Sequence, residues 1–180
     1  QKRGHSQNTL VMFMGDNAYA FPHGKGSLYD PGLNVPLLIR WPGKVKAGSA
    51  SSELLSGEDI TPTLLAAAGV IAPTSMSGKS FLPLLTGRSS SGPRDSIFAA
   101  RLAHGGSPYS PRASNFDLSR CVRTKTHKLI YNCTPQQEYW PVDSGNDAGW
   151  LQVLAAHKAG KLKPEHEKAY FTQPRPVFEL

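Results

Sequence analysis

Cysteine is scarce in this sequence. The 180 residues contain 2 Cys, Cys121 and Cys133, and neither belongs to a Cys-x-x-Cys pair. That excludes a disulfide-stapled miniprotein and argues against a zinc ribbon or a thioredoxin-type motif. Long apolar runs are also missing. Runs such as Leu10 to Met14 and Pro36 to Ile39 are short, far below the roughly 20 residues of a membrane-spanning helix. The basic start, Gln1 to Asn8, leads into only that first short run before Gly15-Asp16-Asn17, too little for the apolar region of a secretory signal. No Met opens the chain and it closes on Val177-Phe-Glu-Leu180, which reads as the beginning of a strand. The expectation is a piece of a longer protein.

Acidic residues are outnumbered, 13 Asp+Glu against 20 Lys+Arg, for a net charge of +7. Such a balance suits a polyanionic partner. The cations are scattered, however, with no Lys/Arg run longer than two and no interleaved aromatic platform, so nucleic acid is not the expected partner.

The chain reads as two parts. In residues 1–92, Thr9 to Met14 is a continuous apolar run, the signature of a strand buried on both faces of a parallel sheet. A Gly- and Pro-punctuated loop follows to Gly32, then a second strand at Pro36 to Trp41 stopped by Pro42-Gly43. Residues 53–56 offer a third strand. Asp59 to Gly69 has helix signals at both ends: Asp59 or Thr61 as cap, Pro62 in the first turn, Gly69 as a left-handed stop. A helical turn is expected at Ser80 to Leu85. This is α/β grammar.

Gly87 to Pro93 is a flexible polar boundary. In residues 93–180, Ser96 to Leu102, Arg120 to Thr124 and Lys128 to Tyr131 read as antiparallel strands. Trp150, Val153, Leu154 and His157 recur at helical spacing between Asn146 and Gly160, and Pro164 opens a shorter helix to Tyr170. This part is a small α+β subdomain.

Ligands gather outside the carboxyl ends of strands in open parallel sheets, and Gly15-Asp16-Asn17 occupies such an end. A carboxylate beside a carboxamide gives two hard oxygen donors suited to Ca²⁺ or Mg²⁺; the same pair also makes an ordinary Asx turn.

The stretch GDNAYAFPHGKGSLYDPGLNVPLLIRWPG, followed by SGEDITPTLLAAAGV, resembles the sulfatase family of the alkaline-phosphatase-like superfamily, especially bacterial glycan sulfatases and heparan sulfamidases. The likeness spans residues 8–70 in order and spacing. It implies a partial alkaline-phosphatase-like sheet with helices, followed by a C-terminal subdomain with an antiparallel sheet; CVRTKTHKLIYN and RPVFEL match packing motifs of that subdomain.

Carried over by position, the resemblance implies that Asp16 and Asn17 are metal ligands, usually for Ca²⁺, and that Lys25 contacts the sulfate. His23 is open to two readings, a hydrogen bond to the substrate or the leaving group and a loop histidine with no catalytic role, and His104 falls where such enzymes place substrate-pocket residues. It also implies a sulfated carbohydrate as substrate and a periplasmic or extracellular location. An ammonium and a fixed divalent cation both stabilise the charge that develops on oxygen during attack at sulfur.

Two departures stand out. Ala18 replaces the usual Gly after Asp-Asn. The Cys/Ser-x-Pro-x-Arg motif, whose first residue becomes the formylglycine nucleophile, is absent: Cys121 lies in Cys-Val-Arg and Cys133 in Cys-Thr-Pro-Gln-Gln. The formylglycine is therefore expected in a part of the enzyme outside this chain, and the isolated chain is expected to be inactive. Two alternatives remain: a non-catalytic polyanion-binding module, and part of a phosphonate or phosphodiester hydrolase of the same superfamily.

Overall fold

The computed structural model describes residues 4–103 and 116–180. These fall into two compact units that interleave along the chain. One is drawn from Gln1–Met14, Pro36–Ile97 and Arg123–His127, the other from Gly15–Val35, Phe98–Val122 and Lys128–Leu180. The loop between the first two strands thus belongs with the C-terminal strands.

In the first unit a 3-10 turn, His5–Asn8, precedes β1, Val11–Met14. β1 pairs antiparallel with β2, Leu37–Arg40, in the register Val11↔Arg40 to Met14↔Leu37. This corrects the expectation of a parallel strand buried on both faces. Among the described residues β2 is the one strand paired with β1, and Val11, Phe13 and Met14 are exposed. A run apolar on both faces states that both faces favour cover, but does not name the neighbour. Residues 53–56 form no strand. Instead, the Glu53 carboxylate takes the Gly92 N–H at 2.5 Å and the Lys125 ammonium at 2.6 Å.

A 3-10 turn, Gly57–Asp59, leads into α2, Ile60–Ala67, which follows the short α1, Asp30–Leu33, in chain order. Pro62 sits in the first turn of α2, where its missing N–H costs nothing, and Gly69 ends the helix at φ +74°. The fully buried Asp59 caps the turn through the Ser56 N–H at 2.9 Å. It also accepts the Lys79 N–H at 2.7 Å and both Nε, at 2.8 Å, and Nη2 of Arg94. Burial works against the charge of this carboxyl, but Arg94 and the two backbone donors outweigh it and hold Asp59 below the ordinary carboxylate range. Thr63 Oγ1 donates to the Asp59 carbonyl at 2.7 Å and accepts the Phe81 N–H at 3.0 Å, seating α3, Leu82–Leu85.

The second unit is built on a four-stranded sheet in the order β3 (Ile97–Ala103), β4 (Phe116–Arg123), β5 (Lys128–Asn132), β6 (Phe178–Glu179). β5 and β6 are antiparallel, Ile130 opposite Glu179. On β4 the alternate residues Asp117, Ser119 and Cys121 are buried, so this strand turns polar groups inward. Cys121 packs with Leu28 and Ile130, supported by Tyr29, Leu33 and Ala99. Helices α4, Ala148–Lys158, and α5, Pro164–Phe171, meet through aromatic rings. Trp150, 2% exposed, stacks on Phe171 at 5.9 Å and meets Tyr170 edge-on at 5.6 Å.

Candidate functional site

Directly after β1 and Gly15 the backbone bends at Asp16 and Asn17, and both stand exposed. The Asn17 N–H donates to Asp16 Oδ1 at 3.0 Å, the local hydrogen bond of an Asx-type turn. As two hard oxygen donors facing solvent they fit part of a Ca²⁺ shell, which takes about 6–8 oxygens. Among the described residues no group of three or more His, Cys, Asp or Glu is placed to hold a metal. The pair can therefore contribute ligands but cannot enclose an ion.

The segment that follows is locked by its glycines. Gly24 N–H donates to the Phe21 carbonyl at 2.8 Å and Lys25 N–H to the Tyr19 carbonyl at 2.9 Å. A Cβ on Gly24 would strike the carbonyls of Tyr19 and Phe21. Gly26 has φ +77°, and a Cβ there would strike Val142. The Gly-Lys-Gly spacing thus has a physical reason: Lys25 rides on a backbone too tightly packed for other residues at its neighbours. Its ammonium meets Asp143 Oδ2 at 2.5 Å, with Lys25 27% and Asp143 44% exposed.

His23 lies two residues away in a different environment. Its backbone has φ +58°, its N–H donates to the Tyr139 hydroxyl at 2.5 Å, and its carbonyl accepts the Ser27 hydroxyl at 2.6 Å. The ring stacks on Tyr29 at 4.2 Å and meets Tyr139 and Tyr170 at 4.6 and 4.8 Å. Burial pushes the imidazole down to about 4, so it is neutral at pH 7. Burial likewise pushes the Tyr139 phenol up to about 12, and the Tyr29 phenol is raised further by burial and by its hydrogen bond to Glu179. This is the environment of a loop anchor. His104 lies outside the described residues.

Beside His23 runs a polar network built partly from the segments expected to serve packing. Tyr29 donates to Glu179 Oε2 at 2.7 Å and Asn132 Nδ2 to Glu179 Oε1 at 2.6 Å. Ser119 donates to Asn132 Oδ1 at 3.0 Å. Arg175 grips Asp117 with both terminal nitrogens, at 3.2 and 2.5 Å, and Arg101 Nη1 lies 3.4 Å from the same carboxylate. These groups surround a cavity of about 30 Å³, room for a water molecule and far too small for a sugar. Asn132 also opens an Asn-x-Thr triplet, but it is 3% exposed and its amide is fully engaged. The inward polar positions of β4 were the one local sign of this network; nothing in the sequence ties them to Arg175 or Glu179.

The fold and this loop define the C-terminal portion of a sulfatase. Residues 22–163 match the family model described as "N-sulphoglucosamine sulphohydrolase, C-terminal", and the chain belongs to that family. An ulvan-active sulfatase of Formosa agariphila is 34% identical over 98% of this chain and 28% of its own length. An N-acetylglucosamine-6-sulfatase of Capra hircus is 32% identical over 73% of this chain and 25% of its own. The chain thus spans about a quarter of these relatives. A protein solved with its substrate D-glucosamine-2-N,6-O-disulfate shares the fold, with TM-score 0.63 at 24% identity over 94% of this chain and 36% of that one.

Proposed function

We propose that this chain supplies the C-terminal portion of a metal-dependent sulfatase that hydrolyses sulfate esters or sulfamates on a carbohydrate. The observation that carries the reading is the setting of Lys25, the residue that the resemblance implies for sulfate contact: it lies inside the matched residues 22–163, on a loop whose backbone is fixed on both sides, with its ammonium partly exposed. An ammonium held in place before substrate arrives stabilises charge developing on the sulfuryl oxygens without reorganising during the reaction. Asp16 and Asn17 would contribute two oxygen ligands to Ca²⁺, and a bound divalent cation supplies Lewis-acid stabilisation of the same oxygens. His23 holds the loop through its backbone and its stacked ring. The formylglycine nucleophile belongs to a part of the enzyme outside this chain, which contains no Cys/Ser-x-Pro-x-Arg motif. The names of the relatives, an ulvan-active sulfatase and an N-acetylglucosamine-6-sulfatase, support a sulfated sugar as the substrate, and the net charge of +7 accords with a polyanion. Among the described residues no helix is long and apolar enough to cross a membrane; a periplasmic or extracellular setting is part of this proposal.

The test is sulfate release, followed by ion chromatography, from sulfated glucosamine by the full-length protein carrying this chain. Lys25→Ala should lower kcat/KM by about 100-fold, the range for removal of one charge-stabilising group, while the isolated chain releases none. A Lys25→Ala enzyme with undiminished kcat/KM overturns the reading. Salt-sensitive heparin retention without sulfate release by the full-length protein would favour the polyanion-binding module, and turnover of a phenyl phosphonate but of no sulfate would favour a phosphonate hydrolase.

A further inference from the structure

We infer that Asp143 is a specificity-determining residue of this site, a carboxylate that reads a hydrogen-bond donor next to the sulfo group taken by Lys25. The inference rests on the sulfatase reading above. Three observations lead to it. The Asp143 carboxylate stands 2.5 Å from the Lys25 ammonium, with both side chains open to solvent. The two non-glycine residues with positive φ among the described residues are Asp143, at +63°, and His23, at +58°. One is the partner of Lys25 and the other lies two positions before it, so among the described residues the positive-φ backbone that glycine does not supply stands around one ammonium. Strained backbone gathers where function requires a side chain in a particular place.

The third observation is how firmly Asp143 is presented. Val142 and Ser144, on either side, are buried, and the Ser144 N–H closes on the Val142 carbonyl at 2.8 Å around it. Val142 is also the residue against which Gly26 packs without room for a Cβ. The backbones carrying the two charges are thereby pressed together through uncharged atoms, and the ion pair sits on top. An ordinary surface ion pair joins two flexible side chains and contributes little; it needs neither a left-handed residue nor a packed shelf beneath it.

The chemical consequence follows from charge. A lone ammonium accepts any anion. With a carboxylate held beside it, an anion at Lys25 places its neighbouring substituents against Asp143. A hydroxyl or amine there donates to the carboxylate, a charge-assisted hydrogen bond, whereas a second sulfate there is repelled and an alkylated oxygen offers the carboxylate no donor. The substrate class is a carbohydrate with one sulfo group flanked by a free donor, in preference to a densely sulfated one.

The experiment uses the full-length sulfatase carrying this chain, with three sulfated glucosamine glycosides: one with a free hydroxyl beside the reactive sulfate, one with that hydroxyl methylated, and one with it sulfated. Asp143→Asn keeps the shape and tolerates positive φ; Asp143→Gly adopts positive φ freely and removes the side chain. Both variants should lower kcat/KM for the free-hydroxyl substrate by about tenfold, the range for a hydrogen bond to a charged group. They should leave the methylated one within about twofold and raise the sulfated one severalfold. The same factor on all three substrates, in variants that melt at the wild-type temperature, overturns the role of Asp143 and leaves the sulfatase reading standing. A wild-type enzyme that releases sulfate from none of the three overturns the sulfatase reading itself.

Discussion

At the scale of single residues, the parts of the site that could be read from the sequence are those whose chemistry is written in adjacent letters. Asp16-Asn17 and Gly-Lys25-Gly are local patterns, and the structure supplies the local reasons: an Asx-type turn in the first, glycines without room for a Cβ in the second. Asp143, Tyr139 and Glu179 were illegible because their partners are distant; His23 meets Tyr139 across 116 positions and Tyr29 meets Glu179 across 150. His23 illustrates the limit. Its place two residues before Lys25 left it open between a group acting on substrate and a loop histidine, and the fold wraps its ring in tyrosines. That burial has a measurable signature. The folded imidazole titrates near 4 and the unfolded one near 6.5, so both are neutral above pH 6.5 and there is no linkage there. As pH falls from 6.5 towards 4 the unfolded state gains the proton first, and stability is lost over that window, by up to about 3 kcal/mol. Below the folded value the loss is complete. His23→Asn, which tolerates the left-handed backbone, should be less stable than wild type at pH 7 yet lose less on acidification. Urea melts of both proteins at pH 7, 5.5 and 4 measure the difference; parallel losses would show that the ring titrates normally.

The longer helices were legible from their own punctuation, whereas the single turn of α1, Asp30–Leu33, lies in a stretch whose Gly and Pro residues read as loop. Pro62 and Gly69 bound α2, and Pro164 opens α5, as their missing N–H and their positive φ dictate. The role of Asp59 was only half visible. Asp59 stands at the N-cap position of α2 but makes no side-chain cap bond to that helix; its carboxylate instead closes the capping box of the preceding 3-10 turn through the Ser56 N–H and accepts Arg94 from 35 positions away. A fully buried carboxylate and its guanidinium stabilise only as a pair, because either alone is a desolvated charge. Asp59→Asn and Arg94→Met should each cost about 3–5 kcal/mol, and the double variant clearly less than the sum. Thermal melts of the four proteins close the cycle; additive losses would mean that the two charges are independently solvated. β1 was the element misjudged, since hydrophobic patterning identifies a face that favours cover without identifying what covers it.

That same strand sets the behaviour of the whole molecule. Phe13 and Leu38 are register partners across β1 and β2, and they are 63% and 64% exposed. Directly paired positions on adjacent strands share a face, so these side chains form one patch rather than two isolated exposures. Val11, Met14, Tyr19 and Phe21 are exposed nearby in sequence. A patch of paired large apolar side chains is what marks an interaction surface or an aggregation liability in a soluble protein, and among the described residues no third strand joins the ladder beneath it, which leaves its edges open to pairing. Since the chain spans about a quarter of its curated relatives, the face is available for association in a preparation of this chain alone. The isolated chain should bind an apolar dye such as ANS strongly and sediment in a concentration-dependent way. The double variant Phe13→Lys with Leu38→Glu, placing opposite charges across the ladder, should lower both signals while leaving the melting temperature within a few degrees, because neither residue is buried. Dye binding unchanged in that variant would locate the exposed surface elsewhere, and a large drop in melting temperature would mean that the patch is packed in solution.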